Sequence, residues 1–193
     1  VSVVEPVLIA LDQVSFVTLR GLIIEEGRGL GLSIEGGADN SIVGCTVRNV
    51  GTAGILLGQG ARQTFPGITA DDYTGVPSSR EIGSFHSQLY HDTVWERDAG
   101  ERHTIEGCEI YNTGSGGIFL GGGSKKRLEP GRNVVTDCRI HDFSRRNKMG
   151  ASGIVVDGCG QRVVHNEIYD ADQHAIFVHG NDHLFEFNHV HHV

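Results

Sequence analysis

The amino-acid sequence predicts an all-β fold, a right-handed parallel β-helix of about six coils. Three observations carry that expectation. One short pattern recurs along the chain, every copy is flanked by apolar positions at strand spacing, and glycine returns at fixed offsets to close each strand. Of 193 residues 28 are glycine, about 15% against a usual roughly 7%. Because the glycines keep step with the pattern, they mark repeated tight turns and not low complexity.

The copies align as Gly21-Leu22-Ile23-Ile24, Gly44-Cys45-Thr46-Val47, Gly107-Cys108-Glu109-Ile110, Asp137-Cys138-Arg139-Ile140, His165-Asn166-Glu167-Ile168 and Phe187-Asn188-His189-Val190. The second residue of each copy forms a column of mostly small side chains. Three residues earlier stand Leu19, Ile42, Ile105, Val135, Val163 and Phe185; two residues later stand Ile24, Val47, Ile110, Ile140, Ile168 and Val190. Both flanking columns are wholly apolar. Ten residues past the small column come Leu32, Ile55, Ile118 and Ile176, with Ile154 at sixteen because of extra residues near 144–149. Ile34, Leu57, Leu120, Val156 and Val178 follow two residues on.

A coil of ~22 residues with short β-branched strands cannot bury its apolar edge alone, whereas stacked coils can, at about 4.8 Å per rung. A helical solenoid is excluded because glycine interrupts every candidate segment. Cys45, Cys108 and Cys138 share their column with Asn166 and Asn188, as expected of an internal ladder in which Asn bonds backbone along the stack. No CxxC occurs, so the cysteine column is not expected to bind zinc, nor is a disulfide framework expected, and no HExxH spacing makes a metal specific elsewhere. Between the inward positions of the later strand lie Leu56, Phe119, Val155 and Phe177, an outward apolar strip that needs a cover. The chain is expected to be one β-helix domain over 1–193, a stretch of a longer protein open at both ends, with a loop insertion at about 62–101.

Function on a solenoid gathers where the repeat is broken. The insertion carries aromatics and carboxylates, including Trp95, suited to the flat face of a sugar. The extra residues near 144–149 bring Arg145 and Lys148, which suit an acidic sugar or the base of a lyase. After the Ile/Val column come the polar pairs Arg48-Asn49, Tyr111-Asn112, His141-Asp142, Tyr169-Asp170 and His191-His192; stacking sets Asp142 and Asp170 about 5 Å apart, the arrangement of a retaining glycosidase pair or half of a calcium site. Turn chemistry is the competing explanation, since Asn and Asp cap turns through their own backbone. His174, His179 and His183 lie near Asp172 and Asp182 in sequence, a candidate acid–base or metal site; as an acid–base site, Asp182 and His183 would be catalytic and His174 and His179 would contact substrate. Gly121 through Lys126 lacks phosphate-loop spacing.

A net charge of −8 disfavours nucleic acid as partner, and no apolar run approaches the ~20 residues of a membrane span.

Gly114-Ser115-Gly116-Gly117-Ile118, Ile140-His141-Asp142-Phe143, the run ending in Pro130-Gly131 and, above all, Gly180-Asn181-Asp182-His183-Leu184 together point to a family. The chain resembles the carbohydrate-active right-handed β-helix proteins of the pectate-lyase-like superfamily, and looks most like glycoside hydrolase family 141. The resemblance spans roughly residues 16–193 apart from the insertion. It implies a secreted or periplasmic protein acting on a polysaccharide or oligosaccharide with paired carboxylates, and further coils after Val193 that carry catalytic carboxylates, so that this stretch holds part of a substrate groove; no cofactor is expected. Two alternatives stay open: a polysaccharide lyase using an Arg or Lys base with Ca²⁺ neutralising a uronate, and a non-catalytic carbohydrate-binding solenoid.

Overall fold

The computed structural model describes residues 7–58, 99–146, 148 and 151–193. After an opening strand, β1 (Val7–Asp12), the chain lays down strands in triplets. These are β2 (Thr18–Arg20), β3 (Ile23–Glu25) and β4 (Leu30–Glu35); then β5 (Ser41–Val43), β6 (Thr46–Arg48) and β7 (Ile55–Leu57). The third triplet is β8 (Thr104–Glu106), β9 (Glu109–Tyr111) and β10 (Ile118–Leu120); the fourth is β11 (Val134–Thr136), β12 (Arg139–His141) and β13 (Ile154–Val156). The last strands are β14 (Arg162–Val164), β15 (Glu167–Tyr169), β16 (Ile176–Val178), β17 (Leu184–Glu186) and β18 (His189–His191).

The first strands of the triplets form one six-stranded sheet, the second strands another, and the third strands with β1 a third. Sheet neighbours are always one coil apart, and the pairings are parallel. Three sheets so arranged are the three faces of a parallel β-helix of about six coils. Right-handed winding is the sense expected for parallel strands joined by crossovers.

The sequence columns are the rungs of these sheets. Ile42 pairs with Ile105, Ile110 with Ile140, and Ile118 with Ile154. All six side chains are fully buried in one continuous core. The outward strip of Leu56, Phe119 and Val155 is buried as well, in a second cluster with Leu30 and Ala53. β1 was not among the expected strands. Its Ile9 and Leu11 stand opposite Leu32 and Ile34, 23 residues away, the same interval that separates Leu22 from Cys45. At the end of the expected insertion, Ala99 is buried and Glu101 bridges to Ala38.

Two polar ladders run inside the stack. In the expected one, the Cys108 amide reaches Cys138 Sγ at 3.4 Å, the Cys138 amide donates to Asn166 Oδ1 at 3.0 Å and the Asn166 amide to Asn188 Oδ1 at 3.0 Å. Burial pushes the Cys45 thiol up, and all four cysteines are free and buried, so this ladder is packing and not nucleophile chemistry. The second ladder stands five residues upstream of the first. Here the Asn40 amide donates to His103 Nδ1 (3.1 Å) and the His103 amide to Asn133 Oδ1 (2.8 Å). The series continues from the Asn133 amide to Gln161 Oε1 (3.1 Å) and from the Gln161 amide to His183 Nδ1 (3.1 Å). Each rung satisfies a buried backbone donor at a corner where strand pairing has stopped.

Candidate functional site

The corner leaving the second sheet is built from one backbone requirement. Glu26, Asn49, Asn112, Asp142, Asp170 and His192 all sit there in the left-handed region, with φ between 48° and 59°. Short Asn and Asp side chains tolerate that region best among non-glycine residues, so conformation alone selects for them. The Asp142 amide donates to the Asp170 carbonyl at 3.1 Å, so the two carboxylates leave adjacent rungs. They remain more than half exposed, at 54% and 56%. His141 Nδ1 lies 2.8 Å from Asp142 Oδ2, and His192 Nδ1 lies 3.8 Å from Asp170 Oδ1.

The extra residues of the fourth coil fold back over this corner. The amides of Ser144, Arg145 and Arg146 donate to the carbonyls of Ser115, Thr113 and Gly114 on the preceding coil. That return brings Arg145 and Lys148 beside the aspartates. Asp142, Phe143, Arg145, Lys148, Asp170, Ala171, Asp172 and His192 line an open groove of about 330 Å³. Lys148 Nζ is held by Asp172 Oδ2 at 2.6 Å. Four of the expected site residues, Asp142, Asp170, Arg145 and Lys148, therefore meet in one place.

The others do not join them. His174 precedes β16 and His179 follows it, so a three-residue strand rising about 10 Å separates the two. The His174 ring is tilted against Phe177 (5.8 Å), and the His179 ring meets Phe177 edge-on (4.9 Å). Asp182, with φ 58°, accepts the Cys159 thiol at 3.7 Å. His183 closes the second polar ladder: Nδ1 accepts from the Gln161 amide, and Nε2 donates to the His179 carbonyl at 2.8 Å. Burial holds its pKa below the ordinary histidine value, and both nitrogens are used as a neutral ring requires. Asp182 and His183 thus stand at the corner between the third and first sheets, away from the Asp142 groove. Trp95 and the rest of the insertion up to residue 98 lie outside the described residues.

The polar column after the Ile/Val column was expected to stack at sheet spacing, but sequence reasoning did not see that its first members form an aromatic face beside the groove. Tyr111, His141, Tyr169 and His191 stack face to face, with centroids 4.9, 4.7 and 5.0 Å apart. The Arg48 guanidinium lies 5.9 Å over the Tyr111 ring and donates to its hydroxyl at 2.8 Å. The signal was present, since these residues each precede the left-handed position by one. A second open groove, of about 340 Å³, runs where Gly44 and Gly107 carry no side chain, between Thr46, Glu109, Asp137 and Arg139.

Fold and site together define a parallel β-helix with a charged groove along one corner and an aromatic column on the adjoining face. No protein-family model matches the chain, and no curated protein matches it. Among solved structures, the complex of XylC with xylose is similar over 91% of this chain and 31% of that one, at 14% identity and a TM-score of 0.41. The chain spans less than a third of that structure's length.

Proposed function

We propose that the chain is part of a polysaccharide-acting β-helix protein of the glycoside hydrolase type, with the Asp142–Asp170 groove as its sugar-contacting site. One observation carries this reading: two exposed carboxylates on adjacent rungs share an open groove with Arg145 and Lys148. Carboxylate pairs flanking a glycosidic bond are the machinery of hydrolysis, with one acting as acid and the other as nucleophile or base. The exposed polar lining suits hydroxyl-rich ligands, and the groove needs no cofactor for that chemistry. The resemblance to glycoside hydrolase family 141 points the same way, and the reading carries with it a secreted or periplasmic setting.

The left-handed backbone at Asp142 and Asp170 favours a second reading, a carbohydrate-binding solenoid in which these residues hold turns and contact sugar without catalysis. A lyase is the weakest of the three, because Lys148 is already ion-paired.

The test is a polysaccharide panel that follows new reducing ends and unsaturated-uronate absorbance together. Hydrolysis predicts reducing ends without absorbance, and Asp142→Asn and Asp170→Asn should each abolish turnover with the melting temperature unchanged. Binding without turnover would select the solenoid reading. Absorbance rising with reducing ends would overturn hydrolysis in favour of elimination.

A further inference from the structure

Outside the groove, on the outer face of the second sheet, three groups converge that no part of the sugar reading uses. His189 and His191 flank the inward Val190 on β18, so strand alternation sends both imidazoles to the same outer face. Parallel pairing sets Glu167 of β15 directly opposite His189. His189 Nδ1 lies 3.7 Å and His191 Nε2 3.5 Å from the same oxygen, Glu167 Oε1. All three atoms fall within 4.8 Å of one another.

The 3.7 Å separation lies beyond a hydrogen bond and the 3.5 Å one is at its limit, and both are close to those within a coordination shell. Ligand atoms each ~2.0–2.2 Å from a tetrahedral Zn²⁺ stand roughly 3.3–3.6 Å apart. Neighbouring groups also orient the trio. Arg139 Nε lies 3.7 Å from the other carboxylate oxygen, Oε2, leaving Oε1 to the imidazoles. The His191 ring is stacked on Tyr169 at 5.0 Å and 9°, which fixes its plane. His191 Nδ1 lies 2.7 Å from His192 Nδ1, a contact that requires a proton on one of the two nitrogens. With that proton on His192, His191 Nε2 carries the ring N–H and donates to Glu167 Oε1 at 3.5 Å; with it on His191, Nε2 is a bare lone pair aimed at a carboxylate oxygen. Two acceptors then face each other, and a cation between them resolves the conflict. A partner on the far nitrogen of a metal-bound imidazole is the usual means of orienting it.

We infer that Glu167, His189 and His191 form a binding site for a divalent transition-metal ion such as Zn²⁺, with two nitrogens and one oxygen from the protein and an open position for water or a ligand oxygen. Its assembly requires two adjacent coils in register, since one supplies the carboxylate and the next the imidazoles.

The experiment is calorimetric titration of the intact chain with Zn²⁺ alone, repeated with Co²⁺ to read visible absorption. No sugar is present, so the outcome is independent of the groove's function. One equivalent should bind, with the Co²⁺ spectrum of a nitrogen–oxygen site. Glu167→Gln and His189→Ala should each weaken binding at least tenfold, while His174→Ala leaves it unchanged. The metal-free variants should melt with wild type, because His189 and Glu167 are substantially exposed. Loss of affinity in His189→Ala but not in Glu167→Gln would overturn the carboxylate's place in the site. The absence of binding, or equal binding by both variants and wild type, would overturn the site altogether.

Discussion

At the residue scale, the second polar ladder shows how one position can demand chemistry without demanding a particular residue. Asn40, His103, Asn133, Gln161 and His183 all accept a backbone amide from the coil before. Leaving one such donor unmade in the interior costs ~1–3 kcal/mol. His103 is fully buried, and that burial holds its pKa below the ordinary 6.5, with Asp39 and Arg102 the charged groups beside it. The unfolded chain therefore takes up a proton on this residue first as pH falls. Its contribution to stability is complete above about pH 6.5 and drains away as pH drops toward the folded-state pKa. Replacing it with Asn, the residue on the rungs either side, keeps the acceptor and removes the titration. Melting curves should show wild type losing more stability between pH 7.5 and 5.5 than His103→Asn. Equal losses would mean that His103 does not carry the acid sensitivity.

At the element scale, the glycines divide into two kinds that sequence alone does not separate. Gly31, Gly54, Gly117 and Gly153 line the corner entering the third sheet. There a Cβ would fall 2.5–2.7 Å from Val47, Ile110, Ile140 or Ile168, the inward side chains of the second sheet. At Gly117 the carbonyl of Gly153 also stands at 2.5 Å. Gly44 and Gly107, at the corner between the first and second sheets, have open space around them and are set only by a positive φ. The same rung position holds Asp137, His165 and Phe187 at φ 54–57°. Gly117→Ala is expected to lose about 1–3 kcal/mol in urea denaturation, as overpacked cores do. Gly107→Asn should stay within roughly 0.5 kcal/mol, because Asn tolerates the left-handed region. Similar losses in both variants would contradict the distinction.

At the scale of the whole molecule, stability is a sum over coils and their interfaces. Middle coils are sealed on both sides: Ile110 and Ile140 are at 0% exposure, whereas Phe185 and Val190 in the last coil reach 36% and 42%. Amide exchange in this 193-residue chain should be slowest in β9 and β12 and faster toward β17 and β18. Uniform protection would argue that the solenoid opens as one unit. The groove and the metal site are also products of stacking. Asp142 and Asp170 are 28 residues apart in the chain and adjacent in the fold, as are Glu167 and His189 across 22.

While the structure set the number of faces at three, the sequence by itself determined the stack of about six coils, its inward columns and the Cys/Asn ladder. All of these follow from period-two burial and from a repeat that places chemically like residues one rung apart. It also contained, unread, the five-residue offset of the second ladder and the opening strand. Only the tertiary structure decided which polar residues meet. His174, His179 and His183 are close in sequence, yet a strand divides His174 from the other two and backbone bonding occupies His183. Arg145 and Lys148 reach Asp142 and Asp170 because the extra residues of one coil hydrogen-bond backward onto the coil before. Local pattern reports which way a side chain points, while distances across a corner depend on where the chain spends its additional residues.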